Sequence, residues 1–187
     1  GLYTGMILID LQKAFDTIDH KILLHKMQFL GFSEKVIEWY KCYLSERTFQ
    51  VKVNDRFSSS GNVTCGVPQG SILGPLLFLL YVNDTAQSVD SKLLLYAEDS
   101  CILIQDKDPK NIEIKLNRDF SNLCNCFIEN KLNIHLGEDK TKSILFASKR
   151  KLSKGNKIKI VHRNVEIKQH SSVSYLGCIL DESMALN

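Results

Sequence analysis

Leu93-Leu94-Leu95-Tyr96-Ala97-Glu98-Asp99-Ser100-Cys101-Ile102-Leu103-Ile104 sets the reading of this chain. Two adjacent carboxylates stand between two apolar runs. Runs of this kind read as buried strands, so the acids fall at the tip of a hairpin. A tight turn holding two acids side by side is costly, because like charges repel. A divalent cation relieves that cost, and a metal reading asks for a third carboxylate elsewhere.

Asp10 is the candidate, in Met6-Ile7-Leu8-Ile9-Asp10-Leu11. Here too an acid ends an apolar β-type run. Taken singly, each of these acids reads as an ordinary strand terminator. If the two strands are neighbours in one sheet, Asp10 meets the Glu98-Asp99 pair. Three carboxylates converging on a sheet surface suit two magnesium ions, which sit about 3.5–4 Å apart in sites that clamp the attacking and leaving oxygens of an in-line displacement.

A third segment adds to this: Cys65-Gly66-Val67-Pro68-Gln69-Gly70-Ser71-Ile72-Leu73-Gly74-Pro75-Leu76-Leu77-Phe78. Glycines at 66 and 70 around Pro68-Gln69 describe a specific loop rather than a flexible one. Ser71 can cap the helix that follows. A glycine-rich loop lets its backbone approach a ligand closely, and Gln69 offers both donors and acceptors.

With these segments in view, the chain resembles the palm of a reverse transcriptase of non-LTR (LINE-type, jockey-like) retrotransposons. Five stretches match in the family's order. The first is Ile9 through His20, with Asp10 as its acid. The second is the loop and helix from Gly66 to Phe78. The third is Tyr96-Ala97-Glu98-Asp99, where the family normally has two aspartates. The fourth is Asn130-Lys131-Leu132 followed by Asp139-Lys140-Thr141-Lys142, and the fifth is Ser174-Tyr175-Leu176-Gly177-Cys178-Ile179-Leu180-Asp181. Any one alone is a weak signal; five in order are a strong one. A group II intron-type enzyme shares this fold, but the wording from Ala14 to His20 favours the retrotransposon type.

The resemblance implies roles by position. Asp10, Glu98 and Asp99 would be the metal ligands, for two Mg2+ ions (Mn2+ possible). Phe15 would stack under the incoming sugar and exclude a ribose 2′-hydroxyl. Gln69 and Gly70 would meet the nucleotide, and Gly66 and Pro68 the template strand. Lys140 would neutralise or protonate the leaving pyrophosphate. Tyr175, Leu176 and Gly177 would grip the primer. The implied partners are an RNA template, a DNA primer and deoxynucleotides. The alternative is a degenerate or domesticated palm that binds nucleic acid without catalysis.

Glu98 departs from the family pattern. It keeps the charge but adds a methylene, which moves the carboxylate by about one bond length. Magnesium demands near-ideal octahedral geometry, and a misplacement of about 1 Å can cost roughly 10²-fold in rate. Weak polymerisation, or none, is the expectation. Ser100 (often threonine) and His135 (often asparagine) are lesser departures.

Composition fits one sizeable core. The chain has 187 residues, 44% of them hydrophobic, with three prolines, which argues against disorder. A single palm-centred domain is expected, with fingers and thumb incomplete. The net charge is +3 but unevenly spread, since eleven Lys or Arg fall between Lys131 and Lys168 against Glu138, Asp139 and Glu166. Such a patch suits a phosphate backbone, with binding that weakens as salt rises. The six cysteines are scattered, without a second close pair to join Cys124 and Cys126 in a zinc pattern. Most lie in apolar settings and read as small core residues of a reducing compartment. The longest apolar run, Ile72 to Val82, is too short for a bilayer. A soluble protein of nucleus or cytoplasm is expected, with no membrane partner.

The periodicity predicts an α+β architecture, an antiparallel sheet with helices packed on one face. A strand spans Gly5 to Leu11. Asp19 caps a helix through Phe29, ended by Gly31, and Ser33 caps a second helix. Phe49-Gln50-Val51-Lys52-Val53 and Phe57 to Val63 form a hairpin around Asn54-Asp55. A helix covers Ile72 to about Ala86. Asp108-Pro109 starts another, reaching Glu129, with Ile112, Leu116, Phe120, Leu123 and Phe127 on the face toward the sheet. Short strands close the chain, and Ser148 to Asn156 reads as a flexible link.

Overall fold

Met6-Ile7-Leu8-Ile9 is apolar on both sides of the pleat, which suits a strand covered on both faces. In the computed structural model, which describes residues 1–137 and 140–184, it takes the middle of a sheet. The elements run β1 (Tyr3–Gln12), α1 (His20–Phe29), α2 (Glu34–Leu44), β2 (Thr48–Phe49), β3 (Lys52–Val53), β4 (Arg56–Phe57), β5 (Gly61–Asn62) and α3 (Leu73–Val82). A 3-10 helix (Asn83–Ser88) leads to β6 (Lys92–Tyr96), β7 (Asp99–Asp106), α4 (Pro109–Glu129), β8 (Asn133–Ile134), β9 (Lys142–Phe146) and α5 (Lys149–Leu152). The chain closes with β10 (Ile160–His162), β11 (Val165–Ile167), β12 (Gln169–His170), β13 (Ser172–Tyr175) and β14 (Cys178–Asp181).

Two compact units emerge. The first comprises residues 1–12, 84–129 and 133–187; the second comprises 13–83 and 130–132. The first unit holds a sheet ordered β12-β9-β1-β7-β6, with β8 paired to the end of β1. Its pairings are antiparallel as expected, except that β12 joins β9 in parallel. Helix α4 covers one face. Ile112, Leu116, Phe120, Leu123 and Phe127 are all fully buried, as their spacing predicted. Asp108 Oδ1 accepts the Lys110 N–H at 3.0 Å and so satisfies one free donor at the start of α4. Asp119, also fully buried on α4, accepts the Ser91 N–H at 3.0 Å and the Ser91 hydroxyl, and Arg118 Nε donates to its other oxygen at 2.9 Å. That anchor holds the chain at the entry to β6. Nothing in the hydrophobic period marks Asp119 as buried; its partners explain it. The opposite face buries Met6, Leu8, Cys101, Ile144, Phe146 and Val173, with Tyr175 and Leu180 packed against them.

The second unit packs α1 against α2 and α3. Ile18, Leu23, Met27, Leu44, Leu77, Phe78 and Tyr81 form its interior. Asp19 caps α1, accepting from Lys21 N at 2.9 Å and Ile22 N at 3.0 Å. Lys131 also pairs with it at 2.6 Å. That pairing and the cap bonds hold the Asp19 carboxyl below the usual range. Gly31, at φ +85°, ends the helix as expected. Ser33 stands at the N-cap of α2, but its side chain makes no cap bond, which corrects that expectation. The predicted hairpin is present as two short ladders, β2 with β5 and β3 with β4. Asn54 and Asp55 form its turn, both at positive φ. The helix predicted to reach Ala86 stops as an α-helix at Val82 and continues as 3-10. Between 148 and 156, read as a flexible link, Lys149–Leu152 forms one helical turn. No helix among the described residues is long and apolar enough to cross a membrane.

Gly5 sets how closely α4 approaches β1. A Cβ there would lie 2.3 Å from Ile112 Cγ2 and 2.8 Å from Leu116 Cδ1. Gly5→Ala should therefore destabilise by about 1–3 kcal/mol through overpacking. Chemical denaturation measures this, and Ile112→Ala in the same chain should recover part of the loss.

Candidate active site

Alternation along β1 puts Met6, Leu8 and Asp10 on one face of the sheet. The antiparallel register pairs Asp10 with Asp99, Leu8 with Cys101 and Met6 with Leu103. Directly paired residues share a face. The two aspartates, 89 positions apart in sequence, therefore sit side by side at the end of the β1/β7 ladder. Burial, and then the negative charges of Glu98 and Asp10, push the Asp99 carboxyl above its ordinary range. The three acids thus share one electrostatic field.

The tip closes tightly. Tyr96 pairs with Asp99, which leaves Ala97 and Glu98 as a two-residue loop. Ala97 is at φ +50°, a left-handed conformation that costs a residue with a Cβ. Such strain concentrates at functional sites. Glu98 is exposed in this loop and outside the ladder. Of the three carboxylates expected around shared cations, Asp10 and Asp99 face each other in register, and Glu98 lies beside them in the loop. Among the described residues, no set of three or more His, Cys, Asp or Glu side chains is placed to hold a metal ion. The physical reason is register: a loop position does not follow the alternation that aligns Asp10 and Asp99. The pair itself suits a hard cation, since it offers carboxylate oxygens under mutual repulsion.

Lys140 Nζ lies 3.7 Å from Asp10 Oδ2. The Thr141 hydroxyl donates to His135 O at 2.9 Å and accepts the Asp10 N–H at 3.5 Å, and His135 N donates to Asp10 O at 2.9 Å. His135 and Thr141 are thereby tied to the backbone at Asp10. Asp139, in the fourth motif, lies outside the described residues. Tyr175, Leu176 and Gly177 form the turn of the β13/β14 hairpin and line the same cleft as Asp10, Asp99 and Lys140. The cleft encloses about 320 Å³. Lys142, on the β9 strand beside Leu8, also lines it and adds a second cation that the sequence reading did not single out. The Tyr175 hydroxyl pairs with the Cys101 thiol; burial above all, with that contact and the Asp99 charge, pushes the tyrosine up to about 12.

The remaining candidate residues belong to the second unit. Phe15 is half-buried, its ring stacked on Phe78 at 4.6 Å between centroids. The Gly66 loop is bonded to the segment after β1: Gly66 N donates to Ile18 O at 2.8 Å and Val67 N to Phe15 O at 2.8 Å. His20 Nε2 donates to Gly66 O at 2.7 Å, and Gln69 Nε2 to Asp16 Oδ1 at 2.8 Å. Gly66 is required twice over: its φ is +83°, and a Cβ would meet the Asp16 backbone at 2.7 Å. Gly70, at φ +76°, faces open space. Ser71 Oγ accepts the Gly74 N–H at 2.9 Å and donates to Pro68 O at 2.7 Å. The N-cap position of α3 is Ile72, without a side-chain cap bond, so Ser71 serves the helix start from one residue before the cap rather than as the expected cap itself. His20, the bond that locks the loop, is a residue for which the sequence reading gave no role.

The reverse transcriptase (RNA-dependent DNA polymerase) family model matches residues 1–180. The chain belongs to the reverse transcriptase family. It is similar to the RNA-directed DNA polymerase from mobile element jockey of Drosophila melanogaster, 29% identical over 187 residues, covering 96% of this chain and 20% of that protein. The probable RNA-directed DNA polymerase from transposon X-element of the same species is 28% identical over 190 residues, covering 99% and 20%. This reverse transcriptase domain is thus of the non-LTR retrotransposon type and spans about a fifth of the length of these curated relatives. Telomerase from Candida tropicalis, solved with a fragment of telomeric RNA, shares the fold at a TM-score of 0.62 and 14% identity over 97% of this chain and 29% of that one. The family generally uses divalent metal ions.

The raised Asp99 pKa has a thermodynamic sign. Its folded-state pKa lies above the unfolded value, so the native state binds more protons in the window just above the ordinary carboxylate pKa, and stability falls as pH rises through it. Asp99→Asn removes that loss. The variant should melt higher than the parent at neutral pH, and the difference should vanish below the ordinary carboxylate pKa. Calorimetric melting across pH checks this.

Proposed function

We propose that the chain is the polymerising centre of an RNA-directed DNA polymerase. In the reaction, a primer 3′-hydroxyl attacks the α-phosphate of a deoxynucleotide. An oxygen–phosphorus bond forms as the hydroxyl gives up its proton to water, the bond from the α-phosphorus to the oxygen bridging the β-phosphate breaks, and pyrophosphate leaves. The observation that carries this reading is the Asp10–Asp99 register at the edge of the cleft. Asp10 and Asp99, with Glu98 beside them, would hold two Mg2+ ions, which supply Lewis-acid stabilisation of both oxygens when bound. Lys140, ion-paired to Asp10, would meet charge that develops on the leaving group. Tyr175 to Gly177 give the primer strand a turn to rest on. Phe15, backed by Phe78, presents a rigid ring for the incoming sugar. Gly66 to Gly70 offer a fixed backbone edge to template and nucleotide.

A second reading rests on Glu98 itself. Its exposure in the loop, outside the ladder that aligns Asp10 and Asp99, favours a palm that binds nucleic acid without turnover.

Primer extension on an RNA template separates the two. Under the polymerase reading, Glu98→Asp raises the rate by roughly 10²-fold, and Asp10→Asn or Asp99→Asn abolishes it. Equal rates with Glu98 and Glu98→Asp show that the added methylene is not limiting. Retained oligonucleotide binding with no extension by Glu98→Asp establishes the binding-only palm. Mg2+ provides a readout that does not depend on turnover. It should raise the melting temperature of the parent chain more than that of Asp10→Asn, because it relieves the repulsion between the two aspartates.

A further inference from the structure

A second cleft, of about 780 Å³ and contained in the second unit, is lined by Lys13, Arg47, Phe49, Asn62, Gly66 and Gln69 among others. Two of these side chains are held in place by their neighbours. The Arg47 guanidinium lies over the Tyr43 ring, 5.2 Å from its centroid, and Nη1 donates to Tyr43 O at 3.4 Å. Tyr43 is in turn stacked on Trp39, with centroids 5.7 Å apart and planes 6° from parallel. Arg47 is thus the last member of a Trp39-Tyr43-Arg47 ladder that starts on α2. Phe49 sits opposite Gly61 in the β2/β5 pair, and a Cβ at Gly61 would lie 2.8 Å from its Cε1 and Cζ. The ring is therefore laid against a position that only glycine leaves vacant, while half its surface, 54%, stays exposed.

A large apolar ring in solvent and a preorganised guanidinium two residues away suit one class of ligand. Single-stranded nucleic acid offers a flat base to an aromatic face and a phosphate to an arginine. The other cation lining the cleft is Lys13. The acid there, Asp16, is already engaged as the acceptor of the Gln69 amide. We infer that Phe49 and Arg47 form a seat for the single-stranded RNA template, Phe49 stacking one base and Arg47 holding a phosphate, with Gly61 as the positioning residue that keeps the Phe49 ring in place. This rests on the polymerase reading above and adds residues to it outside the five sequence motifs.

The test uses the whole chain and a fluorescein-labelled oligouridylate, with the matching oligothymidylate as comparison. Phe49→Ala should weaken binding roughly 5- to 100-fold, the range that base–aromatic stacking gives. Gly61→Ala, which alters no charge, should reproduce that loss by displacing the ring. Arg47→Met should lower the salt slope of log affinity by about 0.7, one phosphate contact on a single strand. An oligouridylate carrying iodouridine should photo-cross-link to the unsubstituted chain within residues 47–69, mapped by mass spectrometry, a readout that needs no variant to fold. Cross-links elsewhere, unchanged binding in Phe49→Ala and Arg47→Met, or binding of the oligothymidylate alone overturns the seat. The Asp10-dependent Mg2+ shift in melting temperature, measured on the same preparations, stands or falls separately. If it persists while the seat fails, the polymerase reading survives without it.

Discussion

Two carboxylates facing each other across neighbouring strands make an unfavourable contact, and this fold is arranged to hold one. Like charges directly opposite in an antiparallel pair destabilise it. Asp10 and Asp99 stay opposed because register is set by the residues below them. On one face, Gly5 admits α4 so closely that Ile112 and Leu116 fill the space of a side chain. On the other, Met6, Leu8 and Cys101 are sealed with Ile144 and Val173. A one-residue slip would exchange the two faces of β1. It would turn Asp10 toward the helix face and put a side chain, Thr4 or Met6, into the space that Gly5 leaves to Ile112 and Leu116, at a cost that exceeds the repulsion at the ladder's end.

In the second unit, the same logic appears in backbone form. The Gly66 loop is fixed by donors and acceptors of residues 15–20 rather than by hydrophobic burial. Its conformation is over-determined: a left-handed glycine, a histidine bond to its carbonyl, and a glutamine tied to Asp16. Rigid edges of this kind place polar groups without the entropy cost of ordering a loop on binding. The β2–β5 hairpins contrast with it. Phe49, Val51, Val53 and Phe57 are all exposed there, so little apolar burial holds those strands.

Much of this was legible in the residues. The period of 3.6 from Ile112 to Phe127 specified the buried face of α4, and Asp19 and Gly31 marked the ends of α1. The acidic hairpin followed from two apolar runs on either side of the acids at 98 and 99. What resisted reading depended on tertiary partners. The parallel β12/β9 pair is two residues long and carries no periodic signal. Asp119 looks like any surface acid of an amphipathic helix until Ser91 is brought to it. Arg47 and Phe49 sit in a polar, turn-rich stretch, where only the pairing of Phe49 with Gly61 and of Arg47 with Tyr43 gives them a direction. The site was legible in outline. Asp10 could be joined to Asp99 once their strands were taken as neighbours, whereas the loop position of Glu98 needs the turn geometry itself.

That geometry bears on why the acids are there. Among the described residues, burial and then the charges of Glu98 and Asp10 act on Asp99, and all push its pKa up. Ala97 adds a left-handed residue to the same turn. A group held at a cost, in a cleft, by a scaffold whose core would be better served by a neutral residue marks a functional site by its energetics. Lys140 offsets part of the charge on Asp10, but only from 3.7 Å and half in solvent. The remaining negative field points into the cleft beside Tyr175 and Lys142. In the proposed reaction, a cation with its phosphate ligand is what such a field, with Lys140 and Lys142 at its edge, would accommodate.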